Sequence, residues 1–146
     1  PVRHVAVLTV EGVLAQTDDF KTTQPTSWGR QLYAAMKEQY RVILLVGADE
    51  DLARYFLDRE FITDFALLQT YVPLMSYPDW RIDQVRQFLA DGFEIGMMYD
   101  TDDRVIYEVG QLGVPGMRVS PATRRSGWRD HTTEVRPWGD VVGYSG

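Results

Sequence analysis

Five short apolar runs alternate along this chain with stretches of helical spacing, and that alternation admits few folds. A strand followed by a helix followed by another strand builds a parallel sheet with helices on both faces. The runs are read as strands near His4 to Val10, Arg41 to Val46, Phe65 to Gln69, Glu94 to Tyr99 and Gly116 to Val119. The first, second and fourth are nearly continuous in apolar residues, as strands covered on both faces require. Between them, Ser27 to Tyr40 is read as a helix capped by Ser27, and Asp49 as the cap of a second helix through Arg59 with Leu52, Tyr55 and Phe56 inward. A third helix starts near Asp79 or Trp80 and ends at Gly92, and a fourth runs from about Asp103 to Leu112 before Gly113. Trp28, Tyr33, Tyr55 and Phe56 share helical spacing and are read as core.

The 146 residues suffice for one compact domain with a real core. The expected division is a folded domain over residues 1–121 and an irregular tail over 122–146, where the periodic pattern dissolves. The longest apolar runs, such as VILLV at Val42 to Val46, are too short to span a bilayer, and the first residues lack the pattern of a secretion signal. A cytoplasmic location is the expectation.

With no cysteine there is no disulfide, zinc thiolate or cysteine nucleophile, and His4 and His131 are too isolated for a catalytic triad. A net charge of -6 disfavours binding along a nucleic-acid backbone, which is driven by basic charge. The hydrophobic strand ending in Asp100 could carry the Walker B acid of a nucleoside triphosphatase, but no G-x-x-x-x-G-K-[ST] loop accompanies it.

Ligands of open α/β sheets bind beyond the C-terminal ends of the strands. Three such ends matter: Thr9-Val10-Glu11-Gly12, Val46-Gly47-Ala48 and Asp100-Thr101-Asp102-Asp103. VLTVEGVL resembles the Asp-x-Asp-Gly-Thr-Leu motif of the haloacid dehalogenase (HAD) superfamily, and the later spacings are most similar to the phosphatase domain of polynucleotide kinase-phosphatases, over about Val5 to Val119. The resemblance implies a HAD-like, Rossmann-like three-layer sandwich with strands in the order five, four, one, two, three and no cap domain. It places the family's nucleophilic, magnesium-binding aspartate on Thr9 and its acid/base aspartate on Glu11, with Gly12 matching the family glycine. The family's hydroxyl position falls on Val46, its arginine on Ala48, its phosphate-neutralising cation on Arg81 and its metal-binding acids on Asp100, Asp102 and Asp103.

Two of those correspondences remove chemistry. A threonine hydroxyl is neutral and weakly nucleophilic without a base in reach. Glu11, two positions further along a strand, stands roughly 6.6 Å away, too far for direct proton transfer. Val46 offers no hydrogen bond to a phosphoryl oxygen, a donor of a kind typically worth about 3 kcal/mol. The expectation is a catalytically inactive pseudophosphatase, phage-encoded or from a GC-rich source, used as a binding or assembly module. The competing reading is a divergent magnesium-dependent phosphatase acting on a nucleotide or polynucleotide end.

No cofactor is required on the first reading. Glu11, Asp100, Asp102 and Asp103 are open to two uses, a weak Mg2+ site or simple capping and solvation of the fourth helix. The late segment RRSGWRDHTTEVRPW interleaves Arg124, Arg125 and Arg129 with Trp128 and Trp138. It either packs back on the domain or meets a protein partner or a second copy, since arginine and tryptophan are favoured at interfaces.

Overall fold

The computed structural model describes residues 3–17 and 19–120. Five parallel strands, β1 (Arg3–Thr9), β2 (Arg41–Val46), β3 (Leu67–Thr70), β4 (Phe93–Asp100) and β5 (Gly116–Arg118), form one sheet in the order β3-β2-β1-β4-β5. Four helices connect them: α1 (Gly29–Gln39), α2 (Glu50–Arg59), α3 (Tyr77–Ala90) and α4 (Asp103–Gln111). This is the three-layer α/β architecture expected, strand order included. Because crossovers between parallel strands are right-handed, reversing the direction of travel across the sheet after β3 moves the later helices to the opposite face. One core accordingly joins Ala6, Leu8, Val42 and Leu44 to Tyr33, Phe56 and Leu57 on the α1/α2 side. The other joins Val5, Val7, Ile95 and Met98 to Trp80, Val85, Val105 and Val109 on the α3/α4 side.

The pairing of β1 with β4 slips by one residue. Val5 pairs with Ile95 and Ala6 with Met97, so Gly96 is an extra residue bulging from β4. A Cβ there would stand 2.3 Å from the Tyr40 ring, so any other residue would have to push that ring aside.

Several boundaries depart from the expectation. Ser27 does not cap α1: Trp28 occupies that position and no side chain caps the helix. The entry to α1 is instead tied down by Thr26, whose hydroxyl donates to the Val13 carbonyl at 2.8 Å and whose N–H donates to Leu14 at 2.9 Å. Helix α3 begins earlier than expected because the Ser76 side chain accepts from the Asp79 N–H at 3.2 Å and Pro78 sits in the first turn, where its missing N–H has no cost. Strand β3 starts at Leu67, leaving Phe65 under the Arg54 guanidinium. Tyr55 is not core: α2 buries Ala53, Phe56 and Leu57, and Tyr55 lies off that stripe, 55% exposed.

No helix among the described residues is long and apolar enough to cross a membrane. The tail over 122–146, with Arg124, Arg125, Trp128, Arg129 and Trp138, lies outside the described residues, as does His131. His4 is exposed and pairs with Glu94 at 3.1 Å.

Candidate functional site

The chain turns sharply where β1 ends. The N–H groups of Leu14 and Ala15 both donate to the Val10 carbonyl at 2.9 Å, and Gly12 takes a φ of 82°, a left-handed conformation that favours glycine. The turn holds Thr9 and Glu11 at the C-terminal edge of the sheet, beside the ends of β2 and β4.

Thr9, Arg81 and Asp100 form one buried network. Asp100 is fully buried, Thr9 is 1% exposed and Arg81 4%. The Asp100 carboxylate accepts four hydrogen bonds. Oδ2 receives the Thr9 hydroxyl at 2.8 Å and Arg81 Nε at 2.7 Å, while Oδ1 receives Arg81 Nη2 at 3.0 Å and the Asp102 N–H at 2.9 Å. A carboxylate offers about four acceptor positions, so every one of them is taken by protein. Burial works to lower the Arg81 pKa, but the Asp100 bonds and charge hold it above its ordinary value, and the guanidinium is a permanent cation. It also stacks on Tyr77, its Cζ 4.2 Å from the ring centroid.

Glu11 belongs to a second, adjoining group. Its Oε1 accepts the Gly47 N–H at 2.8 Å and its Oε2 the Tyr77 hydroxyl at 2.6 Å. Desolvation raises the Glu11 pKa above 4.5, an effect that the Tyr77 and Gly47 bonds and the Arg81 charge only partly offset. Burial, then the Glu11 charge, pushes the Tyr77 hydroxyl far above its usual range, so it remains a donor. Tyr77 lies over Gly47, where a Cβ would meet its ring at 3.0 Å, and packs with Tyr71 and Trp80 at centroid distances of 5.1 and 5.9 Å.

The four acids named from the sequence therefore have separate neighbours. Asp102 caps α4, its Oδ1 accepting from the Arg104 and Val105 N–H groups at 2.8 and 3.2 Å. Asp103 pairs with Arg118 at 2.7 Å. Among the described residues, no group of three or more His, Asp or Glu side chains is placed to share a metal ion. The donor set as folded does not fit a magnesium centre, because a cation would have to displace Arg81, Thr9 or Tyr77 from the oxygens they hold.

Val46 is buried and Ala48 half-buried in the α1/α2-side core, away from the polar network. Tyr77 was not singled out from the sequence, and Gly47 only as part of the strand end Val46-Gly47-Ala48. Ser76 followed by Pro78 is the signal that would have placed Tyr77 in the first turn of a helix at the rim of the sheet.

The fold has counterparts among solved structures. Chains of the Pnkp1/Rnl/Hen1 RNA repair complex share this fold. One superposes with a TM-score of 0.65 at 19% identity, over 81% of this chain and 42% of that one. A chain from a second structure of the Pnkp1/Rnl/Hen1 complex superposes with a TM-score of 0.70 at 16% identity, over 81% of this chain and 45% of that one. The present chain thus spans less than half the length of these neighbours, and at such identities the likeness is one of fold. No family profile and no curated protein sequence matches the chain.

Proposed function

We propose that this domain is a HAD-like pseudophosphatase, a phosphatase fold whose reactive positions have become structural and which serves as a protein-binding or assembly module in the cytoplasm. The supporting observation is the saturated Asp100 carboxylate: all four acceptor positions are filled by Thr9, Arg81 and Asp102, with Asp100 fully buried.

Three consequences favour this reading over the divergent phosphatase. The arginine that would meet a substrate phosphate has its Nε and one Nη committed to Asp100. The Thr9 hydroxyl donates to Asp100, whose other acceptor positions are filled by Arg81 and the Asp102 N–H. With Thr9 at 1% exposure, a substrate has no approach to that oxygen. Buried ion pairs of this type persist when both partners and their remaining hydrogen-bond positions are satisfied, which makes them structural elements first.

The module reading draws on the multi-protein setting of the fold neighbours, on the resemblance to the phosphatase part of polynucleotide kinase-phosphatases, and on a net charge of -6 that disfavours a polyanionic partner. Arginine and tryptophan, both present between Arg124 and Trp138, are residues favoured at protein contacts.

The deciding experiment is hydrolysis of a generic aryl phosphate and of a 3'-phosphorylated oligonucleotide, with and without magnesium. Background rates are expected for both. Magnesium-dependent turnover that Asp100→Asn abolishes would overturn the proposal and establish the phosphatase.

A further inference from the structure

Among the described residues, the two faces of the sheet are covered unequally. On the α3/α4 side, β4 contributes the buried Ile95 and Met98 to the core. On the α1/α2 side, the buried core among the described residues draws its strand members from β1, β2 and β3, with none from β4 or β5. Among the described residues, cover on that side reaches β4 through Tyr40, whose ring lies against Gly96, and through Tyr99, which packs half-buried against that core.

Beyond Tyr40 the register leaves an apolar strip. Ala6 and Leu8 face the α1/α2-side core, and their partners on β4 are Met97 and Tyr99. Tyr99 in turn pairs with Met117 of β5. Met97 and Tyr99 are half-buried and Met117 is 53% exposed. Parallel strands occur with both faces covered, since an apolar sheet face must be buried against another layer.

We propose that this strip, Met97, Tyr99 and Met117, is the docking surface for residues 121–146 of the same chain. The path of the chain favours that occupant. The Val119 N–H donates to the Asp100 carbonyl at 2.8 Å, which carries the chain along β4 past the end of β5, and the Val119 side chain packs toward the α1/α2-side core. The described residues therefore end beside that face. Twenty-six residues follow Ser120. Even wound as a helix they would reach roughly 39 Å, against roughly 10 Å across two strand spacings. They bring apolar side chains to bury, Trp128, Trp138, Val141, Val142 and Tyr144 among them. They also carry four arginines against three acids, in a chain whose net charge is -6.

The absence of native cysteine makes the test direct. Met117→Cys is combined, one at a time, with Trp128→Cys, Trp138→Cys or Val142→Cys in the full chain, oxidised mildly and resolved without reductant. Tyr107→Cys, an exposed site on α4 at the other face, replaces Met117→Cys in the controls. The expected result is an intrachain disulfide at monomer mass, in most of the molecules of at least one Met117 pair and several-fold above its Tyr107 control. Crosslinking only between chains would assign the strip to a second copy and overturn the proposal. Crosslinking no greater than in the controls for all three pairs would overturn it as well.

Discussion

Arg81 and Asp100 meet side by side through two hydrogen bonds, Nε to Oδ2 at 2.7 Å and Nη2 to Oδ1 at 3.0 Å, with both side chains withdrawn from solvent. Removing one partner leaves the other as a buried, unpaired charge. Arg81→Met is expected to cost about 3–5 kcal/mol in chemical denaturation, and the double change Arg81→Met with Asp100→Leu less than the sum of the single changes. Thr9→Val, which removes one neutral donor from a charged acceptor that keeps three others, should cost about 1.5–3 kcal/mol.

Glu11 supplies a pH signature. Its pKa in the folded state lies above 4.5, so the native protein binds more protons than the unfolded chain between that value and the raised one. The stability this contributes is present below 4.5 and is lost as the pH rises through the folded pKa. Thermal melts of the wild type and Glu11→Gln, followed from mildly acidic to neutral pH, should show the wild type weakening relative to the variant as pH rises. The opposite trend would mean that the Tyr77 and Gly47 bonds outweigh desolvation.

The correspondence of Thr9, Glu11 and Val46 with the HAD motifs can be tested by rebuilding them. In Thr9→Asp, Glu11→Asp, Val46→Ser, a second carboxylate faces Asp100, and the two share the single Arg81 guanidinium. The melting temperature should fall without magnesium and recover partly with it. A folded triple variant whose melting is indifferent to magnesium would break the correspondence.

Two local devices of the fold can be checked by denaturation. Ser76→Ala removes the cap of α3 and should cost about 1 kcal/mol. Gly29→Ala forces a Cβ to within 2.8 Å of the Val13 carbonyl, backbone that cannot swing aside, and should cost about 1–3 kcal/mol.

The sheet was readable in the sequence because its signal is periodic: runs such as VILLV stand out against the helices between them. The ends of elements were less readable where a single side chain decides them, as Ser76 and Pro78 do for α3 and Thr26 does for α1. In the site, Thr9, Arg81 and Asp100 were legible individually because each ends or flanks an element. Their pairing was not, since which donor saturates which carboxylate depends on rotamers and on contacts between residues 91 positions apart. Tyr77, missed altogether, reads in sequence as one more aromatic near a loop, and its role emerges only when α3 brings it over Gly47 and Glu11.

The extra residue at Gly96 has a consequence for how insertions and deletions will be tolerated. Were Gly96 paired as an ordinary strand residue instead of bulging, Asp100 would stand across from Val10 instead of Thr9, and every β4 side chain after that point would project to the other side of the sheet. The carboxylate would then lie among the apolar side chains beneath α1, with Arg81 stranded beneath α3. A deletion of Gly96 keeps that register, since Ile95 and Met97 already pair with the consecutive Val5 and Ala6, and should be far less damaging than a one-residue deletion between Met97 and Asp100, because the polar centre depends on an odd-or-even count kept along one strand.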